Sequence, residues 1–264
     1  MKNLRKPEEI IINGVSLKEL LKSHQKWLDY EENGKQLILE GADLRYANLK
    51  NVDLAYADLN NAKLENANLE GANLMYTNSK YTNLENANLE NANLEGANLT
   101  YADLTYADLT YANLRYVNLK NANLTYADLK YANLVCANLE GANLKNANLR
   151  YTDLENANLE NANLINANLE NANLENTKFY LINLYKVNRK DLFEVGNIGS
   201  RNDTTHYFVE DNRVICGCFD NTLEKFINKV KDTYDKSSKE YMEYMIAIDI
   251  FKKYKEMYYK IKES

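Results

Sequence analysis

A period of five residues runs through more than half of the chain and constrains its fold more than any other feature. From Leu44 to Leu184 a leucine returns at every fifth position, except where Ser79 and Phe179 stand instead. Two residues before each of these centres the chain has mostly alanine, and Asn or Asp lies between them in nearly every copy. An α-helix does not fit, because this spacing would spread the leucines around its whole circumference.

The repeat is instead typical of short extended segments joined by corners. Alanine and leucine two residues apart point to one face of an extended segment, and the polar residue between them points away. The residues after each leucine are often Asn or Gly, which tolerate tight-turn conformations. We therefore expect the chain to wind around an axis with Leu and Ala inside.

The tandem A(N/D)Lxx motif resembles the pentapeptide-repeat family over residues 41–187. The resemblance implies a β-solenoid, namely a right-handed quadrilateral β-helix with four pentapeptides, or about 20 residues, to each coil. The repeat would then make about seven coils and a rod of roughly 35 Å, at about 4.8 Å per coil. Ser79, between Thr77 and Thr82, under-fills one side, so we expect a local defect or slight bulge, or alternatively a kink that serves recognition.

Residues 1–40 are expected to form an N-terminal strand, turn and capping helix. The segment IIINGV predicts a small strand and turn, and SLKELLKSHQKWL predicts an amphipathic helix over the first coil. Ser16 and Glu19 have the spacing of a capping box. His24 lies on the apolar face of this helix, where we expect it to be packed.

Residues 188–264 are expected to form a small C-terminal α+β domain that ends in a long helix. Three strands are predicted in DLFEVGNIGSR, TTHYFVE and RVICGCF, the last two joined at Asp211 and Asn212. A helix follows in NTLEKFINKVKDTY, and a second begins at Ser237 with a capping box to Glu240.

The last helix carries an apolar stripe with alternating spacings of three and four residues, as in a coiled coil. We expect either intrachain packing or a homodimer contact through this helix, and the candidate dimer contact comprises Tyr244, Phe251, Tyr254, Tyr258 and Ile261.

The sequence contains no phosphate loop, dinucleotide fingerprint or nucleophile elbow. His206 could approach Cys216 and Cys218, but two ligands without a second pair are incomplete for zinc, and buried strand thiols are the better interpretation. The glycines of GNIGSR, residues 196–201, predict a bent strand or turn. We therefore expect no enzyme activity, no catalytic residue, no metal and no cofactor.

Bulk properties narrow the partner classes. The formal net charge of −6 disfavours direct nucleic-acid binding, which normally requires a basic face. No signal peptide or membrane-spanning run is evident at the sequence level, and three cysteines are too few for a disulfide framework. These features predict a cytoplasmic protein without membrane contact.

The remaining interpretation is a non-enzymatic scaffold or interaction module with an unidentified protein partner. The alternative is a DNA-mimicking modulator of gyrase-type topoisomerases, a role that some members of the family have. Between Glu40 and Lys186 there are 18 Asp or Glu and 11 Lys or Arg. Duplex DNA of this length would carry about 20 negative charges, so the net charge of the rod is only about a third of that.

Tyrosines occupy the corner position in several copies and should stack from coil to coil. Tyr106 should lie under Tyr126, Tyr81 under Tyr101, and Tyr56 under Tyr76. The column Tyr111, Tyr131 and Tyr151 is flanked by Lys130 and Arg150, the one mixed aromatic and basic strip on the rod. Stacked rings would shield and stabilise the solenoid, and for this column a binding role stands beside that structural interpretation.

Overall fold

The computed structural model of this protein describes residues 4–178, 189, 192–198, 203–216 and 219–262, apart from the side chains at 193, 195–198, 203, 204, 261 and 262. The described residues form two compact units, one up to Lys178 and the other from Arg189 onward.

From Ile38 onward the first unit is a parallel ladder in which each bridge joins residues 20 apart, and a further bridge pairs Arg5 with Ala47. One column of bridges runs from Ile38 through Asp58 and Asn78 to Lys178 in steps of 20 residues, and each 20-residue coil contains four such columns. The leucine N–H donates to the next coil, as from Leu109 to the carbonyl of Asp128 at 2.7 Å. This period agrees with the four-pentapeptide coil that the resemblance implies.

Each corner is a tight turn with one residue in the left-handed region. The alanine N–H closes the turn by donating to the leucine carbonyl three residues earlier, as from Ala107 to Leu104 at 3.0 Å. The residue before the alanine has a positive φ, 58° at Tyr106 and 57° at Asn121. Asn and Gly enter this region readily, whereas bulky side chains do so at a cost. A corner tyrosine therefore needs a compensating contact.

The leucines and alanines of the repeat line the axis and are buried. Burial of each leucine contributes about 2 kcal/mol. The intervening Asn or Asp points outward, and its Oδ1 accepts a hydrogen bond from the N–H two residues later, as Asn68 does from Glu70 at 3.1 Å. Side-chain amides also link coils, since Asn113 donates to Asn93 at 2.9 Å. These local hydrogen bonds explain why short amide or carboxylate side chains fill this position.

Hydroxyl groups replace the missing leucine at Ser79. The buried Ser79 donates from Oγ to Thr77 Oγ1 at 3.1 Å, and Thr82 donates to the Ser79 carbonyl at 2.8 Å. The backbone hydrogen-bond ladder between coils continues through this position, because the Ser79 N–H donates to the Asn98 carbonyl at 2.8 Å. The expected bulge or kink is therefore wrong: backbone bonds between coils hold the side straight, and the hydroxyls satisfy one another.

The first coil begins before the predicted boundary at Gly41. Leu37 and Leu39 are buried at the alanine and leucine positions, and Ile38 bridges Asp58. The letters LIL lack both the small residue and the Asn, which hid this copy in the sequence. The predicted end of the repeat domain at 187 lies outside the described residues.

The N-terminal segment has the predicted strand, turn and helix. Strands β1 (Ile11–Ile12) and β2 (Val15–Ser16) pair antiparallel, followed by helix α1 (Leu17–Leu28). The capping box between Ser16 and Glu19 is present. A short 3-10 helix, Pro7–Glu9, precedes them.

Side chains of this segment satisfy the exposed edge of the first coil. His24 Nε2 lies 3.0 Å from the Ala55 carbonyl, and Gln36 Nε2 donates to the Tyr56 carbonyl at 2.6 Å. The Leu37 N–H donates to His24 Nδ1 at 3.1 Å, so Nε2 carries the proton and donates to Ala55. His24 is fully buried, as expected, and this burial lowers its pKa.

The second unit contains a four-stranded antiparallel sheet in chain order. Its strands are β3 (Leu192–Ile198), β4 (Asp203–Phe208), β5 (Arg213–Cys216) and β6 (Phe219–Thr222). The register shifts between Val195 and Ile198, consistent with the bent strand predicted around Gly196. The prediction of three strands is wrong, because RVICGCF contains the whole of β5 and the first residue of a fourth strand, β6.

Two helices cover this unit's core, α2 (Leu223–Thr233) and α3 (Lys239–Lys262). The core comprises Tyr207, Val209, Val214, Leu223, Phe226, Val230, Tyr244, Ala247, Ile248 and Phe251. The predicted capping box at the start of α3 is wrong. Ser238, not Ser237, caps the helix by accepting from the Tyr241 N–H at 3.1 Å, while Ser237 binds Asp235.

Four of the five residues of the candidate dimer contact on α3 lie in or against the core of their own unit. Tyr244 and Phe251 are buried in the core of their own unit, and Tyr254 and Tyr258 pack against it. These four residues therefore pack within their own unit, as the intrachain alternative expects, although Tyr254 and Tyr258 are only partly buried. The side chain of Ile261 lies outside the described residues.

Candidate functional site

The predicted tyrosine column is present as a continuous stack of three rings. The ring centroids of Tyr111 and Tyr131 are 4.8 Å apart with planes at 9°, and those of Tyr131 and Tyr151 are 5.0 Å apart at 17°. All three side chains remain exposed. The corner turns aim them outward, and the coil repeat sets their spacing.

The other predicted tyrosine pairs also stack. Tyr106 and Tyr126 are 5.0 Å apart, Tyr81 and Tyr101 are 5.3 Å apart, and the remaining pair, Tyr56 and Tyr76, is 5.4 Å apart. Among the described residues, only the column of Tyr111, Tyr131 and Tyr151 continues over three coils on the repeat surface. Stacking itself is therefore general, whereas this longer strip is specific to one corner.

Two basic side chains lie over the rings of this column. The Nζ of Lys130 is 4.8 Å from the centroid of Tyr131, and the Cζ of Arg150 is 5.5 Å from that of Tyr151. Arg150 also pairs with Glu170, with 3.2 Å between Nε and Oε2. Lys130 has no ion pair within the part of the chain that the structure describes. The strip thus combines a stack of partly exposed aromatic rings with one positive charge that has no ion pair among the described residues.

Acidic columns on the repeat surface are partly neutralised from coil to coil. Lys50 pairs with Glu70 at 2.9 Å and Lys120 pairs with Glu140 at 3.0 Å, in each case between residues 20 apart. Together with the pair of Arg150 and Glu170, these contacts interrupt the negative charge along the rod.

The second unit does not assemble the candidate metal ligands. Cys216 is opposite Thr205 in the strand register and His206 is opposite Ile215, so His206 and Cys216 point to opposite faces of the sheet. His206 Nδ1 instead lies 3.0 Å from Glu194 Oε1, and Thr205 donates to Cys216 at 3.0 Å. Cys218 lies outside the described residues. No cluster of three or more metal-ligating side chains occurs in the described ranges.

Sequence reasoning missed an aromatic cluster at the end of α1. Trp27 lies edge-on to Tyr56, with centroids 6.4 Å apart and planes at 70°. The sequence features that could have indicated this cluster are the only tryptophan of the chain and a tyrosine at an early corner. Their proximity depends on where α1 docks, which no periodicity specifies.

The ladder of 20-residue coils, the left-handed corners and the Leu and Ala interior define a repeat protein of the four-sided β-helix class. A family profile for pentapeptide repeats matches in eight copies, over residues 39–71, 80–115, 102–141 and 142–180. The chain belongs to the pentapeptide repeat family.

Solved structures of pentapeptide repeat proteins are similar to parts of this chain. HetL from the cyanobacterium Nostoc sp. strain PCC 7120, involved in heterocyst differentiation regulation, is 38% identical over 58% of this chain and 73% of its own, with a TM-score of 0.43. Rfr23 from the cyanobacterium Cyanothece 51142 is 33% identical over 48% of this chain and 87% of its own, with a TM-score of 0.35.

QnrB1, a plasmid-mediated fluoroquinolone resistance protein, is similar at lower identity. A trypsin-treated variant of it is 15% identical over 60% of this chain and 86% of its own, with a TM-score of 0.34. All three TM-scores lie below 0.5, so we infer nothing about function from these structures. No curated protein matches the chain. None of the described helices is long and apolar enough to cross a membrane.

Proposed function

We propose that this protein is a non-catalytic scaffold, a right-handed β-helix of about seven coils, that binds a protein partner. Its contact surface is the strip formed by Tyr111, Tyr131, Tyr151, Lys130 and Arg150, called the tyrosine strip below. The observation that carries this proposal is the three-ring stack with two cations over its rings. Tyrosine and arginine are enriched at the centres of protein interfaces.

The rigidity of the strip supports this role. Binding normally costs about 0.5–1.5 kcal/mol for each flexible side chain that becomes immobilised. Here the corner backbone is fixed on both sides by ladder hydrogen bonds, and the middle ring, Tyr131, is held between two others at 4.8 and 5.0 Å. Most of that ordering cost is therefore met in the free protein.

The chemistry of the strip also favours one kind of partner surface. The exposed parts of the three stacked tyrosines offer apolar area together with hydroxyl groups, and Lys130 offers a positive charge without an ion pair among the described residues. A complementary protein surface has an apolar patch beside an acidic side chain.

Affinity capture from the native host with three forms of the full chain tests this proposal. The strip variant carries Y111N, Y131N and Y151N, because Asn fills the same left-handed corner elsewhere in the repeat. The control variant carries Y81N and Y101N, which remove a stacked pair from a different corner. A partner recovered with wild type and the control but lost with the strip variant is expected. Equal recovery with all three forms would rule out the strip as the contact surface.

A second candidate function, modulation of a gyrase-type topoisomerase, is favoured by stacked acids such as Glu65 with Glu85 and Glu155 with Glu175. The coil-to-coil pairs of Lys50 with Glu70 and of Lys120 with Glu140 weaken this resemblance to DNA. We therefore rank it second. Its test is a gyrase supercoiling assay, in which the protein at micromolar concentration should inhibit supercoiling or protect the enzyme from a quinolone; no effect of either kind would remove this candidate.

A further inference from the structure

An aromatic cavity lies where the end of α1 meets the first coil. Trp27, Leu28, Tyr30, Glu31 and Tyr56 line a space of about 520 Å³. This volume is in the range of small-ligand sites, roughly 300–1,000 Å³. The cavity belongs entirely to the first unit and is independent of the tyrosine strip.

Two of its walls are held rigidly before any ligand arrives. The ring of Trp27 stacks on His24 at 5.6 Å with planes at 13°, and His24 is fixed by its two hydrogen bonds to the first coil. The ring of Tyr56 stacks on Tyr76 at 5.4 Å. Because each ring is supported from behind, the 70° angle between Trp27 and Tyr56 is set by the fold.

The loop after α1 supplies a third ring and a charge. Tyr30 is 97% exposed and has a φ of 57°, an unusual position for a large aromatic residue. Its N–H donates to the Trp27 carbonyl at 3.2 Å, and the Glu31 N–H donates to the Lys26 carbonyl at 2.8 Å, so the loop is tied to the helix end. The exposed Glu31 carboxylate has no ion pair among the residues that the structure describes.

The chemistry of this lining selects for a particular ligand. Aromatic faces attract cations electrostatically, and cages of such faces recognise quaternary and methylated ammonium groups. An ordinary ammonium is strongly hydrated and needs several hydrogen-bond acceptors. The lining side chains offer rings and one carboxylate, which suits a cation that carries methyl groups in place of N–H donors.

We propose that this cavity binds a methylated ammonium group through Trp27, Tyr56 and Tyr30, with Glu31 neutralising the charge. Two sources share this chemistry, a trimethylated lysine side chain and a small choline-type molecule.

Trp27 is the only tryptophan of the chain, so its fluorescence reports directly on the cavity. The full-length protein is titrated at constant ionic strength with tetramethylammonium, choline and a peptide containing trimethyl-lysine. The same peptide with unmodified lysine and the neutral isostere 3,3-dimethylbutanol serve as controls. We expect a saturable change in emission with the methylated cations, at least about tenfold tighter than with either control.

Variants then localise the effect. Y56N should weaken binding by about tenfold or more, whereas Y81N, at another stacked corner, should leave it unchanged. E31Q should weaken binding of the cations, but not any binding of the neutral isostere. Tighter binding of the peptide than of choline would identify a protein ligand, and the reverse order a small molecule.

Three results would overturn this assignment. They are no saturable change with any methylated cation, equal affinity for the neutral isostere, or full affinity in Y56N. A proline-rich peptide that saturates the signal where the cations do not would show instead a groove for extended peptides.

Discussion

The substitution Tyr131→Asn tests how much the stacked column contributes to stability. Asn occupies the same left-handed corner in many other copies, at 57° in Asn121 against 61° in Tyr131, so the backbone should not change. What is lost is the ring that lies between Tyr111 and Tyr151. The matched control is Tyr116→Asn, because the coil repeat places Gly96 and Cys136, not tyrosines, above and below that ring.

The expected difference follows from the two environments. Each aromatic stack contributes about 0.5–1.5 kcal/mol, so two stacks give about 1–3 kcal/mol. Tyr131 is 39% exposed and Tyr116 is 53% exposed. The difference of 14 percentage points of a tyrosine of about 200 Å² adds about 30 Å², or ~0.7 kcal/mol of burial. Both rings also have a cation above them, Lys130 at 4.8 Å and Arg115 at 5.4 Å, so that contribution largely cancels.

We therefore expect Y131N to lower the free energy of unfolding by about 2–3 kcal/mol more than Y116N does. Urea titrations followed by circular dichroism measure this difference. Y116N itself should have a smaller effect, because the better fit of Asn to the left-handed corner offsets part of the loss of the ring and of its contact with Arg115. Equal effects of the two substitutions, within about 0.5 kcal/mol, would show that the stacked rings contribute no stability.

Three further predictions concern the first unit. Burial lowers the pKa of His24 below its unfolded value near 6.5, so His24 stabilises the fold in its neutral form. The free energy of unfolding should therefore fall as the pH drops below about 6.5, by at most about 1.4 kcal/mol per pH unit. Between pH 7 and 5 the unfolding midpoint should fall in wild type and change less in H24Q. Ser79→Leu restores the leucine of the repeat and should raise stability by about 1–2 kcal/mol, because Thr77 keeps its bond to a backbone carbonyl; a lower midpoint in urea would contradict this. A Cβ at Gly34 would overlap the backbone of α1, so G34A should lower the free energy of unfolding by about 3 kcal/mol. G41A places a Cβ in open space at a φ of 64° and should lower it by about 1 kcal/mol. Equal losses of stability in thermal unfolding of the two variants would contradict the packing argument.

The repeat surface was predictable from sequence because it is nearly one-dimensional. Once the coil has 20 residues, the neighbour of any corner is fixed, and the stacks of Tyr106 on Tyr126 and of Tyr131 on Tyr151 follow directly. The column of rings flanked by Lys130 and Arg150 could be identified for the same reason.

Features that depend on how a helix packs against the rest of its unit could not be predicted from the repeat period. The contact of Trp27 with Tyr56 requires the position of α1 on the first coil, which is set by the hydrogen bonds of His24 and by the loop at Gly34. The stripe on α3 shows the same difficulty, because spacing identifies an apolar face but not what covers it. Phe251 is covered by its own unit.

Site-specific photocrosslinking measures directly whether the tyrosine strip contacts a protein partner. A photoreactive phenylalanine derivative replaces Tyr131 in one form and Tyr101 in the control form. Tyr101 is ten residues, or half a coil, before Tyr111 of the strip. After irradiation in the native host, the first form should give a discrete adduct heavier than the 30.5 kDa chain, and the second should not. No adduct from position 131, or the same adduct from both positions, would show that the strip is not the contact surface.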